Sequence, residues 1–425
     1  MAVAASNAFA PKAYIAIGQT IGVTLAISVP EIGQNIRTSF AMILGDELGA
    51  DIKKVNLHQA EPRNDMIRQV TAGSGSVRNC FDGLREAAAT ARDMLIAAAA
   101  TEWGVPVDQC RAEDSFVHGP GGKKIAFETI ANAASKQPVP TAPQLKPASE
   151  FKYIGKAQRC LDTKDIVTGK TRFGIDAMPE NAAFAVVLSC PVSEGPLASY
   201  DDSAAKKMKG VKDVVQIGDK VAVIANNTWV AIKASRVVKI NWDLGKNADV
   251  NSETQLEESR KAVLSNAPTV MQKGDFEAAF SSSPIRIDQE FFVPMIAHAT
   301  LEPPNGTAWN KDGKFEIWGS SQTLNNLYKD KNAKRGQDLP SMTGLPHDKI
   351  IYHQMRIGGG FGRKLANDYV EESIQIAKQV DYPVKMIFTR EDDLRHDRYR
   401  IPDYYRYQVG LASNGYPGAI EELSG

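Results

Sequence analysis

The chain has 425 residues, with 50 basic and 50 acidic side chains and a formal net charge of zero. This balance argues against a nucleic acid or an anionic membrane as a partner recruited by bulk charge. The hydrophobic content of 43% is ordinary for a globular protein. No apolar run reaches the roughly 18 residues of a membrane-spanning helix, so we expect no transmembrane segment.

The N-terminal part mixes short strands, a glycine turn and a long helix. Residues 14–29 are apolar but interrupted by Gly18 and Gly22, which predicts two short strands, and another strand is expected at 55–58. The run Glu-Ile-Gly-Gln-Asn covers 31–35, and Thr-Ala-Gly-Ser-Gly-Ser-Val covers 71–77. An alanine-rich helix is predicted from 81 to about 103. Ser74 and Ser76 precede it, so a helix N-cap is one interpretation of these serines.

Proline content marks a domain boundary. Residues 136–150 contain four prolines and are interpreted as a linker between an N-terminal segment, 1–135, and a second unit, 151–245. In that unit, residues 184–188 and 214–217 alternate like strands, and 228–238 predict a short helix. Residues 246–283 form a polar connecting segment, and 284–425 form the last unit.

A glycine loop is the most informative stretch of the last unit. Residues 350–357 predict a buried strand, 365–380 predict an amphipathic helix, and Gly-Gly-Gly-Phe-Gly-Arg at 358–363 joins them. Such a loop presents main-chain N–H groups at the positive end of a helix dipole, where an anionic or oxo ligand fits. It lacks the Gly-Lys-Ser/Thr ending of a P-loop, and Arg363 replaces the third glycine of the dinucleotide fingerprint. A simple tight turn is the structural alternative.

Cysteine and histidine spacing gives no metal site. Cys80, Cys110, Cys160 and Cys190 are widely separated, and the six histidines form no ligand pair. Zinc and iron–sulfur binding are therefore not expected from this chain, and the cysteines are predicted to be buried or half-buried thiols.

Four motifs follow one another between His298 and Pro402. They are His-Ala-Thr-Leu-Glu-Pro-Pro-Asn at 298–305, Trp-Gly-Ser-Ser-Gln-Thr at 318–323, the glycine loop, and Pro-Val-Lys-Met-Ile-Phe-Thr-Arg-Glu-Asp-Asp at 383–393. Together they resemble the molybdenum-cofactor-binding subunits of the xanthine oxidase and aldehyde oxidase superfamily. The likeness is greatest to the large (beta) subunit of isoquinoline 1-oxidoreductase. Residues 31–35 resemble a Glu-Met-Gly-Gln-Gly motif, which lies near the start of the chain in that branch, as it does here. Residues 155–169 resemble the opening of the superfamily's a/b hammerhead domain.

This resemblance implies an α+β fold, with an a/b hammerhead domain and part of a molybdopterin-binding α+β domain. It also implies molybdopterin cytosine dinucleotide with molybdenum as the cofactor. The cofactor-binding residues carried over are Gln34 for the pterin, Ser74, Gly75 and Ser76 for the phosphates, Gln322 as an amide donor near the metal, and the loop residues Gly359, Gly360, Phe361, Gly362 and Arg363. The plainer alternatives are that Gln322 ends a strand and that Phe361 fills the core.

The resemblance also sets expectations for catalysis. Such enzymes insert a water-derived oxygen into an electron-poor C–H bond and need a general base. In the family that base is a glutamate in a region beyond residue 425, so no catalytic residue is expected in this chain. Glu302 lies between Leu301 and Pro303 in a predicted turn, and a structural role is favoured for it. Leu365 occupies the position of a substrate-binding glutamate in purine-oxidising relatives, which leaves an N-heteroaromatic such as isoquinoline or an aldehyde as substrate.

Partners and location are likewise implied by the resemblance. A small [2Fe-2S] subunit would take the electrons, with a cytochrome c as a further acceptor. Members of the branch usually carry an export signal, so a periplasmic or cell-envelope location is expected, with the cytoplasm as the alternative.

Two other functional classes remain open. Residues 404–411 predict a strand and 413–415 a turn, and the chain stops soon after the return strand begins, which suggests a fragment. A truncated, non-catalytic fragment is therefore one alternative. A phosphate- or nucleotide-binding module that uses only the glycine loop is the other.

Overall fold

The structure, a computed structural model, describes residues 8–63, 65–66, 68–266, 268–328 and 338–425. In chain order, its strands are β1 (Phe9–Lys12), β2 (Ile15–Gly18), β3 (Gly22–Ile27), β4 (Asn56–Gln59), β5 (Arg111–Glu113), β6 (Phe116–His118), β7 (Lys124–Ala126), β8 (Ala183–Leu188), β9 (Leu197–Asp201), β10 (Val211–Ile217), β11 (Lys220–Ala225), β12 (Lys239–Trp242), β13 (Ile285–Val293), β14 (Asn305–Lys311), β15 (Lys314–Gly319), β16 (Ile350–Gln354), β17 (Val384–Ile387), β18 (Asp403–Leu411) and β19 (Pro417–Ser424). Its α-helices are α1 (Ile36–Leu48), α2 (Ser76–Trp103), α3 (Phe127–Ala134), α4 (Thr163–Val167), α5 (Ser203–Lys206), α6 (Thr228–Ser235), α7 (Ser252–Asn266), α8 (Phe276–Ser282), α9 (Leu324–Leu327), α10 (Leu339–Thr343), α11 (Asp368–Ala377) and α12 (Arg390–Arg395). The α+β fold class is confirmed. Within the described ranges, no helix has the length and apolar character needed to cross a bilayer.

The N-terminal unit packs a four-stranded sheet, in the order β1-β2-β3-β4, against helices. The apolar run at 14–29 forms β2 and β3, as predicted, and Gly18 pairs with Gly22 at the turn between them. The alanine-rich helix is α2, which begins at Ser76 and not near residue 81, since no glycine or proline interrupts 76–79. Small buried side chains such as Ala87, Ala88 and Ala91 let α1 pack closely on it.

A seven-stranded sheet dominates the rest of the protein, in the order β10-β11-β8-β17-β14-β15-β16. Its junction is the parallel pairing of β8 with β17. Strands from 151–245 therefore share one sheet with strands from 284–425. The domain boundaries inferred from the sequence remain predictions. Helix α11 packs on β14 and β17, and its buried Tyr369, Val370 and Ile374 belong to the core beneath the sheet.

The C-terminal residues form a separate three-stranded sheet, in the order β13-β18-β19. The predicted turn at 413–415 joins β18 to β19, and Gly415 adopts a φ of +80° there. Helices α7 and α8 contact the sheet. The cysteine prediction is confirmed: Cys80, Cys110 and Cys190 are buried, Cys160 is half-buried, and all four are free thiols.

The glycine loop does not open directly into a helix, so the predicted helix over 365–380 is wrong at both ends. A 3-10 turn, Arg363–Leu365, follows the loop, and α11 extends only from Asp368 to Ala377. Arg363 and Lys364 turn inward to buried ion pairs, and these tertiary contacts override the helical pattern. The loop therefore has no helix dipole directly behind it in the described part of the chain, and a ligand there would meet main-chain N–H groups alone.

Candidate functional site

A cavity of about 470 Å³ lies where the N-terminal unit meets the glycine loop. It is lined by the turn before α1, the turn before α2, and the segments that follow β15 and β16. The lining residues are Ile32, Gln34, Ile36, Ser39, Thr71, Ala72, Gly73, Ser74, Ser76, Val77, Gln322, Phe361, Gly362 and Leu365. The fold thus gathers Gln34, Ser74, Ser76, Gln322, Phe361 and Gly362 around one space, although they are far apart in sequence.

Four of the predicted site residues do not line the cavity. Gly75 is the N-cap of α2, and Gly359 and Gly360 belong to the glycine loop behind the cavity wall. Arg363 lies deeper, with a side chain that is buried. These residues shape the walls of the site without reaching its interior.

The start of α2 faces the cavity without a side-chain cap. Gly75 is the N-cap residue, and within the described residues no side chain accepts a hydrogen bond from the first turn. The interpretation of Ser74 and Ser76 as N-caps is therefore wrong. Gly73 has a φ of +58° and Ser74 a φ of +50°, and this bend places both serines against the cavity. The free N–H groups of a 28-residue helix favour an anionic group such as a phosphate.

The start of α1 lies beside the same cavity, but the protein closes it with a carboxylate. Asn35 is the N-cap, with a φ of +61°, a conformation that asparagine tolerates better than most residues. The buried carboxylate of Glu31 accepts hydrogen bonds from the main-chain N–H groups of Gly33 at 2.8 Å, Asn35 at 3.1 Å and Arg37 at 3.3 Å. An external anion would have to displace that carboxylate.

Gln34 lines the cavity while its side chain folds back on its own turn. Its Oε1 accepts a hydrogen bond from the N–H of Ile32 at 2.7 Å, and its Nε2 donates to the carbonyl of Pro30 at 3.1 Å. An amide has two N–H groups and two lone pairs on oxygen, so one donor and one acceptor position remain for a ligand.

Gln322 connects the turn before α2 to the glycine loop. Its main-chain N–H donates to the carbonyl of Lys364 at 2.8 Å, and its carbonyl accepts from the N–H of Thr71 at 2.9 Å. Its side-chain Nε2 donates to the carbonyl of Thr71 at 2.8 Å, so one N–H of the expected amide donor is already used. Its Oε1 is buried and has no partner among the described residues. A Cβ on Gly360 would lie 2.4 Å from that Oε1 and 2.8 Å from the Cδ, so any side chain at 360 would displace the amide of Gln322.

The glycine loop presents free main-chain donors at the cavity. Gly359 has a φ of +99°, Phe361 a φ of +53° and Gly362 a φ of +108°. An aromatic residue rarely adopts a positive φ, and such strain concentrates at functional sites. Phe361 is 63% exposed, so the alternative that it fills the core is wrong. Within the described residues, the N–H groups of 359–362 have no hydrogen-bond acceptor.

Arg363 stabilises the loop from inside. Its guanidinium forms a bidentate pair with Asp368 at 2.8 and 2.9 Å, and its Nε lies 2.8 Å from the carboxylate of Asp397. Burial acts to raise the pKa of Asp368, but the charge and hydrogen bonds of Arg363, together with the charges of Arg398 and Lys220, lower that pKa. The structure therefore places Arg363 in an internal ion pair and not in contact with the cavity.

Glu302 also lies inside the protein. It is 6% exposed, and its carboxylate pairs with the buried Nζ of Lys364 at 2.6 Å. Burial lowers the pKa of Lys364, and the charge of Glu302 acts in the opposite direction. Glu302 does not line the cavity.

Several lining residues were not predicted as site residues. Thr71 supplies the carbonyl and N–H that hold Gln322, and its place as the first residue of the small-residue motif at 71–77 is a signal that could have identified it. Leu365 and Ile32 give the cavity apolar walls. Leu365 was considered only as a marker of substrate, and Ile32 was not selected although it lies in the motif at 31–35.

Two family models match the chain, and each is described as a molybdopterin cofactor-binding domain. One matches residues 2–174 and the other residues 257–421. The first match contains the turns before α1 and α2, and the second contains Gln322 and the glycine loop. The cavity is therefore built from both matched regions.

Curated relatives agree with these matches. The chain is 31% identical to a membrane-bound aldehyde dehydrogenase (pyrroloquinoline-quinone) of Gluconacetobacter polyoxogenes, over 95% of this chain and 53% of the relative. It is 25% identical to isoquinoline 1-oxidoreductase subunit beta of Brevundimonas diminuta, over 92% of this chain and 56% of the relative. The solved aldehyde oxidoreductase of Desulfovibrio gigas aligns with a TM-score of 0.47 and 19% identity, covering 69% of this chain and 37% of that chain.

The chain spans about half the length of the curated relatives it matches. The two domain models together cover more than half of the chain, and the relatives match nearly all of it. The chain belongs to the molybdopterin cofactor-binding proteins of the xanthine oxidase and aldehyde oxidase superfamily, in the branch that includes the isoquinoline 1-oxidoreductase beta subunit.

Proposed function

We propose that this chain is the molybdopterin-binding part of an oxidoreductase that oxidises an aldehyde or an N-heteroaromatic such as isoquinoline. The observation that carries the proposal is the shared cavity, where the open start of α2, the buried Gln322 and the free N–H groups of Phe361 and Gly362 converge. The names of the relatives, an aldehyde dehydrogenase and an isoquinoline 1-oxidoreductase, support the two substrate classes.

The residues around the cavity fit a molybdopterin. Ser74, Ser76 and the first N–H groups of α2 would hold its phosphates, because they supply hydroxyls and positive partial charge without a competing carboxylate. The unpartnered Oε1 of Gln322 and the loop N–H groups would bind its polar atoms, and the remaining amide positions of Gln34 would contact the pterin. When bound, the cofactor supplies the redox chemistry that side chains lack.

The form of the cofactor and the source of oxygen are part of the same proposal. The cytosine dinucleotide form of molybdopterin, with molybdenum, is proposed from the branch that the motifs resemble, and water is the proposed oxygen donor. Phe361 and Leu365 give the cavity an apolar side, which suits an aromatic ring or an alkyl chain better than a purine rich in polar atoms.

Electrons would leave to a partner. Among the described residues, no group of three His, Cys, Asp or Glu side chains is arranged to hold a metal ion. On the family resemblance, a separate small [2Fe-2S] subunit is proposed as the first acceptor, with a cytochrome c beyond it. A periplasmic or cell-envelope location is proposed on the same resemblance.

The test is the cofactor content of the purified chain, expressed in a host that makes the cytosine dinucleotide cofactor. We expect molybdenum, pterin fluorescence after oxidation, and cytidine monophosphate after acid release, each near one per chain. Gly360→Ala should abolish all three, because its Cβ would lie 2.4 Å from the Oε1 of Gln322.

Gly18→Ala is the matched control, since its Cβ would make only ordinary contacts at 3.5 Å or more. It should retain the cofactor. A wild-type chain without pterin from such a host would overturn the proposed function.

A further inference from the structure

One carboxylate oxygen holds both ends of the glycine loop. The Oε2 atom of Glu302 accepts a hydrogen bond from the N–H of Gly358 at 2.7 Å, and it lies 2.6 Å from the Nζ of Lys364. Gly358 precedes the residues with free N–H groups and Lys364 follows them. Lys364 is fully buried, so this contact has no competition from solvent.

The carboxylate is itself fixed from the other side. Its Oε1 accepts hydrogen bonds from the N–H of Ile175 at 2.8 Å and from the Nδ2 of Asn305 at 3.2 Å. The main-chain N–H of Glu302 also donates to the carbonyl of Gly358 at 3.0 Å. A Cβ on Gly358 would lie 2.5 Å from the Cβ of Glu302, so this approach requires glycine. Both carboxylate oxygens are occupied, which leaves no lone pair prepared to accept a proton from substrate.

The same ion pair reaches the other wall of the cavity. The carbonyl of Lys364 accepts the hydrogen bond from the main-chain N–H of Gln322 at 2.8 Å. Gln322 in turn holds Thr71 through its side chain and its carbonyl. A displacement of Lys364 would therefore move the loop and Gln322 together.

We propose that Glu302 and Lys364 are positioning residues: their buried ion pair sets the distance between the free N–H groups of 359–362 and Gln322, and so sets the affinity for the cofactor. This inference rests on the proposed function, because the cofactor is the ligand whose binding it controls. Neither residue touches the cavity, so the effect acts through the loop and Gln322.

The experiment compares Glu302→Gln, Lys364→Met and the double variant. Glu302→Gln leaves the ammonium of Lys364 buried without a counter-charge, and Lys364→Met leaves the carboxylate without one. Each single change should accelerate amide hydrogen exchange at least about tenfold in peptides covering 320–324 and 356–366, and should lower pterin occupancy about tenfold. The double variant has no unpaired charge, and its new amide oxygen still accepts from the N–H of Gly358, so it should recover to within about threefold of wild type.

The matched controls are Glu372→Gln and Lys220→Met. Lys220 and Glu372 form another lysine–glutamate pair, with Glu372 buried, and among the described residues neither side chain hydrogen-bonds to residues 358–364. These variants should lose thermal stability yet keep wild-type exchange in the two peptides and full pterin occupancy. Equal pterin loss in the controls at equal stability loss would reduce the Glu302–Lys364 pair to a general structural role and overturn the inference.

The two proposals fail in different ways. Hydrogen exchange is measured on the chain without cofactor, so unchanged exchange in Glu302→Gln and Lys364→Met overturns the positioning role even if wild type binds pterin. Absence of pterin from the wild-type chain overturns the proposed function, and with it the claim on affinity, whatever the exchange shows.

Discussion

Two helices begin beside one cavity, and the protein closes the N-terminus of only one of them. At α1 the carboxylate of Glu31 accepts hydrogen bonds from three main-chain N–H groups around the N-cap. At α2 the N-cap is Gly75, and no described side chain occupies the equivalent place. A residue with positive φ lies at each helix start: Asn35 is the N-cap of α1, and Ser74 directly precedes the N-cap of α2.

The difference shows which helix end is available to a ligand. A carboxylate and a phosphate compete for the same N–H groups, because both are attracted by the positive end of the helix dipole. The turn before α1 has a structural role, because the main-chain carbonyl of Glu31 also accepts a hydrogen bond from the N–H of Ile357, next to the glycine loop. The start of α2 keeps its donors free, so it is the helix end at which an anion meets no competing carboxylate.

Gly75→Asp should produce the largest effect, because it would give α2 the carboxylate that α1 already has. Gly75 has a φ of −92°, and an added Cβ would lie 2.6 Å from the Nδ2 of Asn79, which can rotate away, and 3.3 Å from the carbonyl oxygen of Ala72. We expect the cofactor-free chain to gain about 0.5 to 1 kcal/mol of stability, mostly from the charge at the positive end of the helix dipole and less from the cap itself. Affinity for cytidine 5′-diphosphate, measured by calorimetry, should fall about 100-fold through like-charge repulsion.

Gly75→Asn is the matched control, since asparagine caps a helix without adding charge. It should gain only about 0.3 kcal/mol in urea unfolding and lose less than about tenfold in affinity for cytidine 5′-diphosphate, because no negative charge is added. If Gly75→Asp binds the diphosphate as tightly as wild type does, the anion does not lie at the start of α2.

Glu31→Gln should produce the next effect, by removing the charge that closes α1. Its Oε1 can still accept from Gly33, but an amide group would face the N–H of Arg37 in place of Oε2. We expect a loss of about 2 kcal/mol in the free energy of unfolding, measured with urea, because hydrogen bonds to a buried charge are lost. Glu102→Gln, at an exposed position near the end of α2, should stay within about 0.5 kcal/mol of wild type. Equal stability of the two variants would contradict the closure of α1 by Glu31.

The contrast between the two helix starts could not be predicted from the sequence. Periodicity predicted β2, β3 and α2, because their apolar patterns are local. The motifs predicted that Gln34, Ser74, Gln322 and Phe361 act at one site, and the cavity unites them. The N–H groups around the start of α1 are occupied because the carboxylate of Glu31 points toward them. The residue type alone does not determine the direction in which that side chain points.

The glycine loop shows the same limit. Its sequence predicted a turn with exposed donors, and Phe361 and Gly362 do line the cavity. The inward direction of Arg363 depends on Asp368 and Asp397, and that of Lys364 depends on Glu302. These partners come from separate elements, so a local helical pattern could not reveal that α11 would start late.

Paired substitutions at Asn35 and Ser74 should give the smallest effect and separate backbone strain from ligand contact. Both residues have positive φ, so alanine should be about 1 kcal/mol less stable than glycine at each position in urea unfolding. Ser74 lines the cavity and Asn35 does not, so only the Ser74 variants should lose affinity for cytidine 5′-diphosphate, by about fivefold for one lost hydroxyl. Equal stability of the alanine and glycine variants at Asn35 would show that the turn before α1 can change its conformation, so that residue 35 no longer needs a positive φ. Equal loss of affinity in both pairs would show that the diphosphate does not distinguish the two helix starts, and the comparison between them would fail.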